Sequence, residues 1–229
     1  MIDLGSREIV SDSLEHSTLE IRKPSGIYLC LKRVMDLIGA IVGLIVFSPI
    51  FLLISILYMI GNNKGPVFFK QIRMGKNGKE FYIYKFRSMI VNAEEKLRSN
   101  EILYKKYIDN NYKLEPSEDP RITKVGQFLR KTSLDELPQF LNVLKGDMSL
   151  VGPRPVVQEE LVEYGERKDE FLSVKPGLTG YWQVSGRSDV GYPERVDLEL
   201  YYAYNASLWF DIKILLLTVK NVVVGRGAY

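Results

Sequence analysis

Cysteine and histidine are almost absent from this sequence of 229 residues. Cys30 is the one cysteine, which excludes an internal disulfide and any zinc or redox site built on cysteine pairs. His16 is the one histidine, which excludes Ser/His/Asp and Cys/His catalytic arrangements. Any chemistry must therefore use carboxylates, lysines, arginines, tyrosines or a bound metal. The lack of disulfides fits a reducing, cytosolic compartment.

The sequence also lacks a signal peptide, an internal repeat and a low-complexity tract. Residues 1–20 contain five acidic residues and one basic residue, whereas residues 21–229 contain 30 basic and 23 acidic residues. We therefore expect residues 1–28 to form an acidic, flexible tail in front of a basic body. An apolar content of 46% allows one sizeable core, or a smaller core together with a membrane segment.

One long apolar run without a charge covers residues 37–60. As a straight helix it would measure about 36 Å, enough to cross a bilayer. Pro49 lies in its middle, next to Ser48, and disturbs helical hydrogen bonding there. Both ends are flanked by basic residues, which places both on the cytoplasmic side: Lys32 and Arg33 before the run, and Lys64, Lys70, Arg73, Lys76 and Lys79 after it. For residues 29–62 these patterns leave two alternatives open, a kinked spanning helix and a re-entrant helix that bends at Ser48 and Pro49.

The C-terminal stretch "SLWFDIKILLLTVKNVVVGRGAY" predicts an amphipathic helix. Its uncharged run between Lys213 and Lys220 is only six residues long, too short to span a bilayer. The two lysines lie on one helical face, and Trp209 stands near the start, as in helices that lie in the membrane interface. A core helix with two solvated lysines remains the alternative.

A β-hairpin is predicted directly after the membrane segment. The strands "PVFFKQIRM" and "KEFYIYKFRSM" flank the turn "GKNG", and their aromatic and β-branched residues alternate. In the second strand Phe81, Ile83, Lys85 and Arg87 share one face, so two cations project together at its far end. They are candidates for phosphate binding, although a basic hairpin near a membrane can also simply attract anionic lipid headgroups.

The adjacent acids Asp135 and Glu136 are the candidate catalytic pair. Residues 89–113 are predicted to form one charged structural helix, and "TKVGQFLRK" a short helix that ends just before the pair. Ser133 and Glu136 match a capping box, but Pro138 favours a helix over 136–144, with Asp135 as its N-cap and Gly146 ending it. The positive end of that helix would keep Asp135 ionised and attract phosphate. Asp135 is therefore either a cap alone or a cap that also serves as a nucleophile.

Several arginines stand in conformationally restricted positions around this pair. In "GDMSLVGPRP" two prolines hold Arg154 in one direction before a predicted helix over 156–172, which suits bidentate phosphate binding, although an exposed loop arginine is the alternative. The Gly-rich "KPGLTGYWQVSGRSD", with Arg187, is predicted to be an ordered functional loop. Together with Arg130, these cations and the two carboxylates predict phosphoryl chemistry assisted by a divalent metal.

Four stretches resemble the bacterial sugar transferase family, the monotopic phosphoglycosyl transferases. They are "KRVMD", "GPVFFKQIRMGKNGKEFYIYKFRSM", "DPRITKVGQFLRKTSLDELPQFLNVLKGDMSLVGPRP" and "KPGLTGYWQVSGR", and the match covers residues 31–229 in order. The resemblance implies an α+β, mainly helical, monotopic membrane fold with a re-entrant helix-break-helix at Ser48 and Pro49, a small β-hairpin and interfacial amphipathic helices. Residues 63–229 would form the cytosolic catalytic domain, at the cytoplasmic face of the bacterial inner membrane.

The same resemblance implies transfer of a sugar 1-phosphate from a UDP-sugar to undecaprenyl phosphate with Mg²⁺, releasing UMP. This step begins exopolysaccharide, capsule or lipopolysaccharide O-antigen assembly. It maps the nucleophile onto Asp135, which would form a phosphosugar-aspartyl intermediate, with Glu136 assisting the lipid phosphate or, with Asp135, the metal. Arg130, Arg154 and Arg187 would bind phosphate, supported by Lys85 and Arg87.

The ending "RGAY" resembles members that transfer galactose 1-phosphate, so UDP-galactose is the first donor to consider. Larger members carry four spanning helices and a further domain before this region, so the chain is expected to be a minimal catalytic form. The expected partners are the UDP-sugar, undecaprenyl phosphate and membrane lipids, not nucleic acid, and a homo-oligomer stays open. Two rival functions also stay open: a tethered metal-dependent phosphohydrolase or nuclease, and an anchored scaffold without catalysis.

Overall fold

A computed structural model describes residues 24–60, 64–110, 112, 114, 118–186 and 190–224. Residues 1–23 of the predicted tail, Arg187 and the final "RGAY" lie outside these described residues. The α-helices are α1 Gly26–Leu57, α2 Ala93–Arg98, α3 Glu101–Asp109, α4 Lys124–Lys131, α5 Gln139–Lys145, α6 Lys168–Phe171, α7 Tyr181–Ser185, α8 Glu194–Asn205 and α9 Leu208–Val224. The strands are β1 Phe68–Met74, β2 Glu80–Phe86, β3 Ser149–Val151 and β4 Gly177–Thr179. Helices thus dominate, with two small sheets, as expected for an α+β chain.

Helix α1 is the one helix in the described ranges that is long and apolar enough to cross a membrane. It has 32 residues and begins at Gly26, where Ser25 accepts a hydrogen bond from the N–H of Tyr28, so the helix starts before residue 29, the predicted start of the membrane segment. Only 17% of its most apolar window is buried, which is unlike the core helix of a soluble protein. The helix continues through Ser48 and Pro49, and Ser48 Oγ donates to the Ile45 carbonyl at 2.8 Å. The re-entrant path stays a prediction.

The hairpin prediction is confirmed. Strands β1 and β2 pair antiparallel from Phe68 with Phe86 to Met74 with Glu80. The turn between them places Asn77 at φ 58° and Gly78 at φ 74°, a left-handed conformation that asparagine and glycine tolerate best. Phe86 is buried at 1% exposure and packs with residues at the end of α1 and with α4. The hairpin is therefore fixed between the apolar helix α1 and the helix that leads to the acidic pair.

Two helix predictions need correction. The single helix predicted over 89–113 is interrupted, because α2 ends at Arg98 and α3 begins at Glu101, with Asn100 accepting from the N–H of Leu103 as a new cap. The helix predicted over 156–172 is mostly a 3₁₀ segment, Gln158–Arg167, followed by the short α6. Gly165, at φ 51°, interrupts that segment. By contrast, the short helix α4 matches its prediction.

The stretch predicted to be a loop around Trp182 contains regular structure instead. Strand β4 pairs parallel with β3, Ser149 opposite Gly177 and Val151 opposite Thr179, and α7 follows directly. A Cβ at Gly177 would lie 2.1 Å from the backbone nitrogen of Gly152, so this pairing requires glycine. The glycines that suggested a loop in the sequence are therefore there for close backbone contact.

The first half of α1 belongs to the main core. Ala40 is fully buried with Val143 of α5, Val151 of β3 and Ile214 of α9. Asp211, also fully buried, receives hydrogen bonds from Lys32 at 2.9 Å and from Tyr202 at 2.6 Å. Helix α9 buries this side against α1, and its opposite side exposes apolar residues: Leu216, Val219, Val222 and Val223. Helix α9 therefore has one face buried in the core, as predicted for a core helix. Its other face is apolar and unburied, as predicted for a helix that lies in the membrane interface.

Candidate active site

The acidic pair lies in a 3₁₀ turn rather than at the cap of a helix. Ser133 adopts a left-handed φ of 56°, Leu134–Glu136 forms the turn, and α5 begins only at Gln139. The predicted helix over 136–144 with Asp135 as N-cap is therefore wrong, and Ser133 makes no capping hydrogen bond. Pro138, which lacks an N–H and has a fixed φ, occupies the N-cap and delays the helix. The predicted end at Gly146 is confirmed, at φ 86°.

Asp135 is a buried carboxyl, with 7% of its surface exposed. The pKa of its carboxyl is raised from 3.8 to about 6 as the net result of several effects. Burial is the largest and raises it, the positive charge of Lys85 lowers it, and the neighbouring Glu136 raises it. Arg130 and Arg154 lower it further. The expectation that a helix end keeps this group strongly acidic is replaced by a balance in which desolvation is the largest effect. Asp135 is still mainly ionised at neutral pH.

Glu136 binds cations from two other elements. Lys85 of β2 donates a hydrogen bond to its Oε1 at 2.7 Å, and a guanidinium nitrogen of Arg154 lies 4.0 Å from the same oxygen. All three side chains are partly exposed, at 29%, 18% and 28% for Glu136, Lys85 and Arg154. This group can therefore meet a ligand, and its two cations are suited to phosphate oxygens.

Arg154 is held by buried charges as well as by its prolines. Its backbone N–H donates to Glu199 Oε1 at 3.3 Å, and Glu199 pairs with Arg195 at 3.2 Å within α8. Arg73 of β1 donates to the carbonyl of Pro155 at 3.2 Å. Sequence reasoning missed these three supporting residues. The spacing of four between Arg195 and Glu199 was the available signal, but it usually marks an exposed helix pair.

The remaining predicted residues are spread more widely. Arg130 donates a hydrogen bond through Nε to Ser88 Oγ at 3.0 Å. Its positive charge also lowers the pKa of Asp135. The guanidinium of Arg87 lies 4.8 Å from the ring centre of Tyr58, the residue just after α1. Arg187 lies outside the described residues. The structure thus brings Lys85, Arg130 and Arg154 around Asp135.

The acidic turn and α5 are also packed against the apolar helix α1 near its proline. The ring of Phe140 in α5 stacks on Phe47 of α1, with centroids 6.2 Å apart. A Cβ at Gly43 would lie 2.6 Å from the Phe140 ring, so α1 offers glycine at this contact. Phe47 directly precedes Ser48 and Pro49. A change in the path of α1 at these residues would therefore alter the packing of α5 and of the turn that precedes it.

A small recess opens beside the pair. Its lining includes Lys85, Glu136, Gln139, Arg154, Gly177 and Gln183. Glu136, the neighbour of Asp135, forms part of its wall. The sequence prediction did not include Gln139, which is 2% exposed and has no charge to draw attention to it.

The carboxylates fit Mg²⁺ only in combination with a substrate. Among the described residues there is no group of three or more His, Cys, Asp or Glu side chains that could hold a metal by themselves. Mg²⁺ commonly takes one or two carboxylates and completes its shell with substrate phosphates and water. Asp135 and Glu136 supply that number of carboxylates.

Comparison with known proteins shows the family of this chain. The sequence model of the family described as bacterial sugar transferase matches residues 27–225. The undecaprenyl-phosphate galactose phosphotransferase of Salmonella typhimurium is 49% identical over 202 residues, 87% of this chain and 42% of that protein. The galactosyl transferase CpsE of Streptococcus agalactiae serotype III is 47% identical over 88% of this chain and 44% of its own length.

A third relative has a similar length. The exopolysaccharide production protein ExoY of Sinorhizobium fredii is 44% identical over 86% of this chain and 88% of its own length. The chain spans less than half of the first two relatives and most of the third. Because the family match runs through α1, the acidic turn and α9, it covers every element that forms the site. The chain belongs to the bacterial sugar transferase family.

Proposed function

We propose that this protein transfers a sugar 1-phosphate from a UDP-sugar to undecaprenyl phosphate and releases UMP. The observation that carries the proposal is the buried carboxylate of Asp135, surrounded by Lys85, Arg130 and Arg154 and packed through α5 against an apolar helix. A nucleophile, phosphate-binding cations and a membrane contact are the three parts that this reaction needs. The names of two relatives, an undecaprenyl-phosphate galactose phosphotransferase and a galactosyl transferase, support UDP-galactose as the first donor to test.

The proposed reaction has two displacement steps at phosphorus. An Asp135 carboxylate oxygen attacks the sugar-bearing phosphorus, and the bond from that phosphorus to the UMP oxygen breaks, leaving a phosphosugar-aspartyl intermediate and UMP. A phosphate oxygen of undecaprenyl phosphate then attacks the same phosphorus. The aspartyl oxygen leaves as the carboxylate, and the product is a polyprenyl diphosphate sugar. No net proton or electron is required beyond the ionised Asp135.

The other residues of the site stabilise charge. Lys85 and Arg154 are placed to bind the phosphate oxygens, and Arg130 lowers the energy of the ionised Asp135. Glu136 orients Lys85 and Arg154 through its contacts with them at 2.7 and 4.0 Å. Bound Mg²⁺, held by Asp135 or Glu136 and the donor diphosphate, would neutralise charge on the departing UMP. Arg87 and Arg187 are the other proposed phosphate-binding residues.

We propose the cytoplasmic face of the bacterial inner membrane as the site of action. Helix α1, with most of its surface apolar and unburied, would enter the bilayer, bend at Ser48 and Pro49 and return to the same face. The exposed apolar face of α9 would lie in the interface. The product would be the first intermediate in the assembly of a surface polysaccharide. The relative ExoY, which is named an exopolysaccharide production protein, supports this proposal.

The decisive experiment is detection of the covalent intermediate. Purified protein in lipid nanodiscs is mixed with UDP-galactose and Mg²⁺, without the lipid acceptor, and analysed by intact and peptide mass spectrometry. A hexose-phosphate adduct on Asp135 is expected, with one UMP released per adduct. Asp135→Asn should give neither, while Asp169→Asn, at an exposed carboxylate, serves as the matched control. UMP release by Asp135→Asn at a rate near that of the wild type would remove the proposed nucleophile.

A further inference from the structure

Helix α5 carries two buried amides, three residues apart, whose surroundings differ. Gln139 is 2% exposed and Asn142 is fully buried. The Asn142 amide is fully used, since its Oδ1 accepts from the Tyr84 N–H at 2.9 Å and its Nδ2 donates to the Tyr82 carbonyl at 2.7 Å. Asn142 therefore has a structural role, tying α5 to β2.

The Gln139 amide has no such role. In the described part of the chain nothing forms a hydrogen bond with its side chain, and it lines the recess beside Glu136. Its amide atoms are not sealed from solvent, so the small exposed part of this residue faces the recess. The amide is therefore open to a ligand that enters the recess, and it would need that ligand as a partner once the ligand excludes water.

The recess combines charged and neutral side chains. Lys85, Glu136 and Arg154 are 18% to 29% exposed and form its outer part. Gln139 and Ile83, each 2% exposed, line its deeper part together with Arg73, whose side chain is 13% exposed and already pairs with Glu160 at 3.3 Å. The free space amounts to about 10 Å³, room for one hydroxyl or water and not for a ring. A phosphate oxygen bound in the site would meet the cations of the outer part, and the group that reaches the deeper part must be small and need not be charged.

We propose that Gln139 is a donor-binding residue whose amide hydrogen-bonds one hydroxyl of the transferred sugar. This inference rests on the proposed sugar-phosphate transfer. A carboxamide can both donate and accept, as a hydroxyl does, whereas a phosphate oxygen only accepts. Because a buried amide left unpaired is penalised, such a contact also rejects donors that lack the hydroxyl or present it in another direction. Gln139 would thus contribute to the choice of sugar.

The test combines a variant with modified donors. Gln139→Met keeps the length of the side chain and removes the amide, and Gln127→Met is the matched control at an exposed position. The value of kcat/KM for UMP release is measured with UDP-galactose and with the series of UDP-galactose analogues that each lack one sugar hydroxyl. With the full donor Gln139→Met should lose about 10- to 100-fold in kcat/KM. With one particular deoxy donor the variant and the wild type should be equal, because the partner of the amide is already missing.

A stability measurement separates this role from a structural one. The melting temperature of Gln139→Met should equal or exceed that of the wild type, whereas Asn142→Leu, which breaks two hydrogen bonds, should melt lower. A loss of kcat/KM that is the same for every deoxy donor, an unchanged kcat/KM with the full donor, or a melting temperature as low as that of Asn142→Leu would each overturn the assignment.

The wild-type enzyme provides an arm that does not depend on how the variant folds. At least one deoxy donor should be used about tenfold or more less efficiently than the full donor. Equal use of all deoxy donors would overturn the assignment while leaving the transferase proposal in place. Release of no UMP from any UDP-sugar would instead contradict the proposed function, and the role of Gln139 with it.

Discussion

Lys85 and Glu136, 51 residues apart, form a hydrogen-bonded ion pair at 2.7 Å. The pair joins the second strand of the hairpin to the turn that holds the acidic residues. The same lysine charge lowers the pKa of Asp135, opposing the effect of its burial. One cation therefore orients one acid and keeps the other ionised, and this double role makes the site sensitive to pH and to the loss of Lys85.

Adduct formation is expected to decline in acid. Attack on phosphorus needs the ionised carboxylate, and burial raises the pKa of Asp135 to about 6. The rate of adduct formation should therefore be level above about pH 7, halved near pH 6, and reduced about tenfold for each further pH unit. Single-turnover mass spectrometry between about pH 4.5 and 8 provides the profile. A rate that stays level down to pH 5 would contradict this origin of the pKa.

Removal of the lysine charge should move that profile. In Lys85→Met the carboxylate of Asp135 loses the charge that lowers its pKa most, so its pKa should rise and the midpoint should move above pH 6. The rate at a pH above the new midpoint should also fall, because Glu136 and the phosphate lose a partner. Lys79→Met, at an exposed lysine of the hairpin turn, is the control and should keep the wild-type midpoint. An unmoved midpoint in Lys85→Met would separate the lysine from Asp135.

Asp135→Asn is expected to be more stable than the wild type at alkaline pH. Because the pKa of Asp135 is raised from 3.8 to about 6, its folded state binds a proton more tightly than its unfolded state. The contribution of Asp135 to stability is thus greatest below about pH 4 and is lost as the pH rises through 6. At pH 8 the asparagine variant should gain roughly 2–3 kcal/mol in the free energy of unfolding. The difference should vanish near pH 4.

Denaturant unfolding at both pH values checks this, with circular dichroism confirming that the variant is folded. Asp169→Asn, at an exposed acid, should show no comparable change with pH. If Asp135→Asn were less stable than the wild type at pH 8, ionised Asp135 would have to be a stabilising group, contrary to its burial.

The ion pair between α1 and α9 should carry much of the attachment of the membrane helix. Asp211 is fully buried and Lys32 binds it at 2.9 Å. Asp211→Asn leaves a mostly buried lysine without its charge partner, which should lower the free energy of unfolding by about 3–5 kcal/mol. Denaturant unfolding of the wild type and the variant in one mild detergent measures this. Glu94→Gln, which breaks the exposed pair between Glu94 and Arg98, should cost less than about 1 kcal/mol.

The path of α1 can be tested by labelling from each side of the membrane. In a Cys30→Ser background, single cysteines at Ser25 and Lys64 lie on either side of the apolar helix. A re-entrant helix predicts that a membrane-impermeant maleimide labels both in inverted vesicles and neither in intact cells. A spanning helix predicts labels on opposite faces, which would overturn the re-entrant proposal. A cysteine at the exposed Lys168, in α6 of the catalytic part, marks the cytoplasmic face.

Local patterns in the sequence were sufficient for much of the fold. The hairpin, α4, the apolar helix around Pro49 and the glycine end of α5 all follow from alternation, periodicity and backbone preferences of neighbouring residues. The predictions failed mainly where contacts between residues far apart in the sequence determine the local structure. The glycines near Trp182 were interpreted as a loop, but Gly177 is required by its contact with Gly152. The late start of α5 is an exception with a local cause, because Pro138 occupies the N-cap and the helix begins at Gln139 rather than at the predicted Glu136.

The sequence by itself determined which chemistry is available: two adjacent acids, several cations, one apolar helix and no useful histidine or cysteine. Only the tertiary structure decided that Lys85, Arg130 and Arg154 surround Asp135, that burial makes this acid weaker, and that Gln139 faces a recess without a partner. The physical reason is that helical and strand periodicity arises between neighbours in the chain. Desolvation and charge pairing instead depend on residues that folding brings together from far along the chain.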